Sequence, residues 1–296
     1  MFFMKEIRMN TALSIENLSK QYPGFLLDHI SFQVPEGSIV GLIGENGAGK
    51  STTIKLILNM IQRDSGNITV FGQDMEKSER EMKDRLGVVF SELNMPDTFD
   101  GKIVNRIMKG IYNGWEENTF FERMASFGLN RDMKLKGYSK GMRIKLAIAI
   151  ALSHQARFLI MDEPTSGLDP VIRAEILNLL LEFIQDEKHS ILISSHIVGD
   201  LERIADYITF IHKGNILLSE EKDQLLEKYQ ILRGPREIFT QFRPESLIGY
   251  QENLFGAEAM IETGEVDRRI GNQTGIVVEP ARIEDIMLYH VKGGCS

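Results

Sequence analysis

This sequence of 296 residues has little cysteine and a deficit of positive charge. Its one cysteine, Cys295, cannot form a disulfide within the chain, which excludes a disulfide framework and leads us to expect a reducing compartment. The net charge of −8 argues against nucleic acid or anionic lipid as the main partner. We therefore expect no nucleic-acid partner.

Long apolar runs are also lacking. No stretch approaches the roughly 18 to 20 consecutive apolar residues that cross a bilayer. The first ten residues carry neither a long apolar segment nor the small-residue cleavage site of a secretory signal. We expect a cytoplasmic protein without direct membrane insertion, so that any place on the inner face of the cell membrane would depend on a partner protein.

The sequence does contain the alternation of strands and helices that is typical of α/β proteins. An apolar run of the kind found in strands buried on both faces occurs at 38–43, and further strand-like runs occur at 86–90, 157–161 and 190–194. A helical pattern lies between the last two runs, and strand, helix and strand in this order predict a parallel sheet. Alternating segments within 12–34 predict further strands, and polar residues 73–85 predict a helix.

Two changes in texture divide the chain. From residue 101 onward, Ile103, Ile107 and Ile111 recur every four residues, which predicts a helical subdomain over about 92–150. After residue 220 the composition shifts to short strand-like runs and a final helix. We therefore predict a main domain over 11–220 and a small C-terminal accessory domain over 221–296.

A glycine-rich loop between a predicted buried strand and a predicted helix fits the pattern G-x-x-x-x-G-K-[ST]. Its residues, followed by Thr52, are Gly44, Glu45, Asn46, Gly47, Ala48, Gly49, Lys50 and Ser51. Glycines let backbone N–H groups converge on phosphate oxygens, and the helix N-terminus adds partial positive charge. Lys50 would reach the terminal phosphates and Ser51 would ligate Mg²⁺. The alternative is a flexible turn with a chance lysine.

An acid pair, Asp162 and Glu163, follows the predicted strand 157–161. Ligands of open parallel sheets bind at this edge. Asp162 is suited to hold Mg²⁺ through water. Glu163 is then free to act as the general base for the attacking water. A solvated acidic turn is the alternative, and the preceding phosphate loop argues against it.

Four further segments complete a resemblance to the ATPases of ABC transporters. Tyr138-Ser139-Lys140-Gly141-Met142 resembles the signature, 166–169 the D-loop, His196 the switch histidine and Tyr22 the aromatic that stacks on adenine. The resemblance covers residues 11 to about 220, with the motifs in order. It implies a P-loop ABC ATPase with a mixed sheet core, an antiparallel β subdomain, a small helical subdomain and a C-terminal α+β extension.

The resemblance also implies two such subunits, identical or homologous, packed head to tail around two ATP molecules. Ser139, Gly141, Met142 and Asp169 would then meet the nucleotide of the other subunit, and His196 would contact the γ-phosphate and help align Glu163. On the residues alone, His196 also fits a structural histidine and Tyr22 a rim tyrosine without a ligand.

Two positions depart from the family pattern. Where the family has a glutamine after the strand that ends at Phe90, this chain has Ser91-Glu92. Ser91 takes the position, and either residue can supply an oxygen to the metal. In the signature, Lys140 and Met142 replace the usual residues, and Lys140 adds positive charge near the ATP phosphates.

Residues 111–115, the Ser-Lys-Gly-Met signature and residues 281–288 resemble the ATPases of Gram-positive ABC-2-type exporters. That branch serves peptides, bacitracin and phenol-soluble-modulin toxins. The resemblance implies a translocase-type ATPase that powers a membrane exporter through an integral membrane permease. The helical region 92–135, with its apolar stripe, would pass the closing and opening of the ATPase dimer to the permease. The stripe also fits a subdomain core. A soluble assembly or regulatory ABC ATPase and a module that binds ATP but scarcely hydrolyses it are the alternatives.

Overall fold

The computed structural model describes residues 10–77, 82–264 and 275–293. These residues form two compact units, of which one ends at Ile216 and the other begins at Leu217. The sequence-based prediction puts the domain boundary a few residues later, between 220 and 221. Each unit has its own apolar core. Within the described ranges, no helix combines the length and apolar character that a membrane span requires.

Strands and helices alternate through most of the first unit. Its strands are β1 (Thr11–Tyr22), β2 (Phe25–Pro35), β3 (Ile39–Ile43), β4 (Ser65–Val70), β5 (Gln73–Asp74), β6 (Leu86–Phe90), β7 (Phe158–Asp162), β8 (Ser190–Ser195), β9 (Tyr207–His212) and β10 (Asn215–Glu221), which continues past the boundary. Its described helices are α1 (Lys50–Ile57), α2 (Gly101–Ile111), α3 (Glu117–Ser126), α4 (Lys140–Ala151), α5 (Pro170–Phe183) and α6 (Val198–Ile204).

Two sheets organise these elements. The larger has the order β10-β9-β3-β8-β7-β6, and the strands from β9 to β6 pair in parallel. Every residue of β3, β7 and β8 is buried, as expected for strands covered on both faces. The smaller sheet, β2-β1-β4-β5, is antiparallel and shares its core with α1. The predicted α/β fold with an antiparallel subdomain is confirmed.

Helices α2, α3 and α4 surround a separate core. Its buried residues include Val104, Met108, Phe120, Met124 and Leu146. Because Val104 and Met108 take the inward face of α2, the isoleucine stripe lies beside that face. Ile107 and Ile111 are 36% and 60% exposed. The predicted stripe is therefore largely free of the subdomain core.

The predicted helix over 73–85 is wrong at its start. Gln73–Asp74 forms β5, which pairs with β4 through a two-residue turn. Both turn residues, Phe71 (φ 48°) and Gly72 (φ 74°), have positive φ angles. Such turns join antiparallel strands because their twist matches that of the strands. Residues 78–81 of the predicted helix lie outside the described residues.

The second unit combines a sheet with short helices. Its elements are α7 (Lys222–Lys228), β11 (Tyr229–Gly234), α8 (Arg236–Phe239), β12 (Ile248–Asn253), β13 (Gly256–Glu262), β14 (Val277–Pro280) and α9 (Ile283–Gly293). The sheet order is β12-β13-β11-β14, with antiparallel pairing throughout. Its core is formed by Leu232, Phe239, Ala257, Ala259 and Ile261. The predicted α+β character of this region is confirmed.

Candidate functional site

The carboxyl ends of β6, β7, β8 and β3 meet at one edge of the larger sheet. In the strand register, Asp162 of β7 lies between Phe90 of β6 and Ser194 of β8. The next residue of β8, Ser195, pairs with Ile43 of β3. The segments that leave these strands begin with Ser91, Glu163, His196 and Gly44. Sheet pairing alone therefore gathers four of the predicted site segments, as expected for parallel strands.

The loop after β3 depends on its glycines. A Cβ atom on Gly44 would lie 2.4 Å from the carbonyl oxygen of Ile211 on the neighbouring β9, so no larger residue fits there. Gly47 and Gly49 have φ angles of 82° and 121°, which side chains strongly disfavour. The loop ends directly in α1, whose first residue is Lys50.

Lys50 is held inside this loop, with 5% of its surface exposed. Its ammonium donates hydrogen bonds to the carbonyl oxygens of Gly44 (2.6 Å) and Glu45 (3.1 Å). It also lies 3.2 Å from Oε1 of Glu163. Ala48 is buried in the loop, and its N–H donates to the Glu45 carbonyl oxygen at 3.2 Å. A buried ammonium with these partners gives the loop a fixed positive charge.

Asp162, the last residue of β7, is buried beneath the edge of the sheet. The Ser194 hydroxyl donates a hydrogen bond to its Oδ1 at 2.7 Å, and the same Oγ accepts from the Glu163 N–H at 3.1 Å. Ser194 therefore orients both acids. The sequence contains no signal for this role beyond a serine that ends a buried strand, so the sequence analysis missed it.

Glu163 joins the loop to the end of β8. Its φ angle of 52° is rare for a residue with a side chain, and strained backbone of this kind is concentrated at functional sites. While Oε1 faces Lys50, Oε2 lies 2.5 Å from Nδ1 of His196. The carboxylate thus lies between an ammonium and an imidazole, where both can orient it.

These groups border a cleft of about 790 Å³, within the range of small-molecule sites. The lining residues are Gly24, Phe25, Asn46, Gly47, Gly49, Lys50, Ser51, Thr52, Ser91, Glu92, Lys140, Glu163, Ser166 and His196. The predicted loop, base, histidine and metal-sensing positions therefore share one cavity. Ser166 of the predicted D-loop also lines the cavity, whereas Phe25 was not among the residues singled out from the sequence.

The aromatic that lines the cleft is Phe25 rather than Tyr22. The two residues face each other across the β1–β2 turn, and the Phe25 ring lies 3.2 Å from where a Cβ of Gly49 would stand. Tyr22 is 39% exposed and does not line the cavity. The ammonium of Lys20 lies 5.6 Å from its ring centroid. An apolar residue just after a turn was the available signal for Phe25.

The predicted signature and D-loop residues lie at helix starts. Ser139 caps α4 by accepting a hydrogen bond from the Met142 N–H at 3.2 Å. Asp169 caps α5 and accepts from two backbone N–H groups at 3.1 Å each. Gly141 is buried, and a Cβ there would lie 2.8 Å from a methyl of Ile172. Lys140 of the signature and Ser166 of the D-loop line the cleft, whereas Ser139, Gly141, Met142 and Asp169 do not.

The oxygen donors at the cleft suit a hard cation. Ser51 and Ser91 line it, and the Asp162 carboxylate lies at the adjoining strand end. Mg²⁺ is typically bound by one or two protein oxygens together with phosphate oxygens and water. In the part of the chain that is described, no cluster of three or more His, Cys, Asp or Glu residues is arranged to hold a metal. The donor set fits Mg²⁺ that arrives with a phosphate ligand.

Comparison with known proteins agrees with this geometry. The model of a family described as ABC transporter matches residues 27–166. The bacitracin transport ATP-binding protein BcrA of Bacillus licheniformis is 34% identical over 74% of this chain and 73% of its own length. The lantibiotic transport ATP-binding protein SrtF of Streptococcus pyogenes is 36% identical over 71% of this chain and 91% of its own.

A solved structure described as the ATP-binding subunit of an ABC transporter has a similar fold. It is 27% identical, with a TM-score of 0.63, and the match covers 78% of this chain and 93% of that chain. Family, sequence relatives and fold agree with the phosphate loop and the acid pair on the same sheet edge. This chain therefore belongs to the ABC transporter family, as an ATP-binding subunit with ATPase activity.

Proposed function

We propose that this chain hydrolyses MgATP in the described cleft and thereby powers a membrane exporter of peptides, toxins or antibiotics. The observation that carries the proposal is the convergence of the phosphate loop with the Glu163–His196 pair in one cavity. The names of the relatives, which refer to bacitracin and lantibiotic transport, support the cargo class.

The loop and its lysine bind the triphosphate. Backbone N–H groups of the loop and the Lys50 ammonium contact the β- and γ-phosphates. Ser51 and Asp162 would hold Mg²⁺, and Ser91 lies at the position of the usual glutamine. When bound, the metal ion neutralises charge on the phosphate oxygens. Phe25 borders the same cavity and offers an apolar face to the adenine of ATP.

Glu163 activates the attacking water. Its carboxylate takes a proton as the water oxygen bonds to the γ-phosphorus and the bond to the bridging oxygen breaks, which gives ADP and phosphate. The Lys50 contact occupies Oε1 in the structure described. When the lysine turns to the phosphates, that oxygen becomes free for water. His196, 2.5 Å from Oε2, holds the carboxylate in place.

A second ATPase subunit and a membrane permease complete the machine. The capped helix starts at Ser139 and Asp169, with Gly141 and Met142, face the nucleotide of the second subunit. The exposed Ile107 and Ile111 of α2 form an apolar surface for the permease. Through that contact the chain is peripheral on the inner face of the cell membrane. The same contact passes the ATP-driven closure of the two ATPase subunits to the permease.

Two measurements test this function. Purified chain is assayed for steady-state ATP hydrolysis with and without Mg²⁺, and tagged chain is recovered from solubilised membranes for identification of bound subunits. We expect Mg²⁺-dependent hydrolysis and an integral membrane protein in stoichiometric amount. Hydrolysis without any membrane subunit would favour a soluble assembly or regulatory factor, and absence of hydrolysis would contradict the motor function.

A further inference from the structure

Lys140, the first residue of α4, is directed to the nucleotide cleft of its own chain. It lines that cleft together with Glu163, Ser166 and His196. Its ammonium lies 3.1 Å from where a Cβ of Gly167 would stand. Because Gly167 has no side chain, there is room for the ammonium beside the segment that follows Glu163.

The charges around the cleft leave this lysine available. Lys50, the other lysine in the lining, is shared among two carbonyl oxygens and Glu163. Arg143, one turn along α4, is bound to Asp97 and to the Leu135 carbonyl oxygen. Within the described residues, the side chain of Lys140 has no ion pair or hydrogen bond. A free cation in a phosphate-binding cleft is suited to an anionic ligand.

The position of Lys140 along the cleft selects one part of that ligand. The same cleft is lined by Glu163 and His196, the residues proposed to act at the terminal phosphate. Lys140 also lines an adjoining cavity of about 340 Å³ with Ser91 and Glu92. A triphosphate whose last phosphate lies at Glu163 therefore shares this part of the cleft with Lys140, whose ammonium lies beside Gly167 in the segment that follows Glu163.

We propose that Lys140 binds the terminal phosphate of the nucleotide held by its own chain and so makes the cleft prefer ATP to ADP. The inference rests on the proposed function. It differs from the part assigned to Ser139 and Gly141, which act on the nucleotide of the second subunit.

Nucleotide titrations of the full chain test this assignment. The chain is kept dilute enough to be monomeric, as checked by sedimentation, and is titrated with the non-hydrolysable ATP analogue AMP-PNP or with ADP, each with Mg²⁺. The variants are Lys140→Gln, which removes the charge, and Lys140→Arg, which keeps it. Lys136→Gln is the matched control, since Lys136 is exposed just before the signature and does not line the cleft.

We expect Lys140→Gln to weaken AMP-PNP binding roughly tenfold, the scale of one charge-assisted hydrogen bond. ADP binding should change less than twofold, Lys140→Arg should restore most of the loss, and Lys136→Gln should have no effect. Unchanged AMP-PNP affinity, an equal loss for both nucleotides, or a loss seen only in the dimer would overturn the inference. If wild-type chain binds nucleotide and Lys50→Ala does not, such a result leaves the proposed function standing.

Discussion

The ammonium of Lys50 lies 3.2 Å from Oε1 of Glu163, so the proposed phosphate-binding lysine and the proposed general base are in direct contact. The two residues come from segments after β3 and β7, strands that are separated in the sheet by β8. In this contact, the Lys50 ammonium takes up the Oε1 atom of the Glu163 carboxylate. A phosphate group that draws the lysine away leaves the carboxylate oxygen free for water.

Glu163→Gln should retain nucleotide binding and lose at least about 10²-fold in ATP turnover, because the amide cannot take the proton of the attacking water. Steady-state phosphate release and a nucleotide titration measure the two effects separately. Glu122→Gln, on the exposed face of α3, is the matched control. Near-normal hydrolysis by Glu163→Gln would contradict the role of the base.

Lys50→Ala should abolish nucleotide binding, because it removes the buried ammonium within the phosphate loop. Isothermal titration with ATP and Mg²⁺ measures the loss, and circular dichroism checks that the variant is folded. Lys55→Ala changes an exposed lysine on the same helix and should bind like wild type. Undiminished affinity of Lys50→Ala would rule against the loop as the phosphate site.

Ser194→Ala should lower the free energy of unfolding by about 1–3 kcal/mol, since it leaves the buried Asp162 carboxylate without the hydroxyl that donates to it, while the Glu163 N–H keeps its bond to the Ser194 carbonyl oxygen. It should also raise the Mg²⁺ concentration needed for half-maximal ATPase activity, because Asp162 loses its orienting bond. Urea denaturation and Mg²⁺ titrations measure both. Ser126→Ala, on the exposed face of α3, is the control, and an unchanged Mg²⁺ requirement would contradict the role of Ser194.

Phe25→Ala should weaken ATP and ADP binding equally, by about 1–3 kcal/mol, the scale of one base–aromatic stack. Tyr22→Ala should have the smaller effect, because Phe25 lines the cleft and Tyr22 does not. Parallel titrations of the two variants decide which aromatic side chain contacts the adenine. A larger loss for Tyr22→Ala would favour the family position over the geometry described here.

His154 should make the stability of the chain depend on pH. Burial lowers its pKa from 6.5 to about 4, and its ring stacks on Tyr112 at 3.9 Å. Between these values the unfolded chain binds a proton that the folded chain does not, so stability falls as the pH drops from 6.5 to 4, by at most about 3 kcal/mol.

Denaturation at several pH values tests this dependence. His154→Phe keeps an aromatic ring and removes the titrating group, so it should lose that part of the pH dependence. His29→Gln changes an exposed histidine and should behave like wild type. An identical pH profile for His154→Phe and wild type would show that other groups are responsible.

The sequence predicts most of the fold and the location of the site, because local rules govern both. A glycine loop between a buried strand and a helix is recognisable from its residues alone, and short apolar runs predict β3, β7 and β8. Features that depend on neighbouring strands were not predictable. The hydrogen bonds of Ser194 need the register of β7 against β8, and the exposure of Phe25 to the cleft needs the packing of the β1–β2 turn beside Gly49.

Ser139, the residue that caps the start of α4, keeps hydrogen-bonding capacity that the cap does not use. A hydroxyl that accepts the Met142 N–H still carries a proton of its own to give in another direction. An aspartate would cap the start of the helix equally well, but its carboxylate would repel an approaching anion and has no proton to donate in a hydrogen bond. The Ser139 hydroxyl can therefore cap the helix and donate a hydrogen bond to a phosphate at the same time.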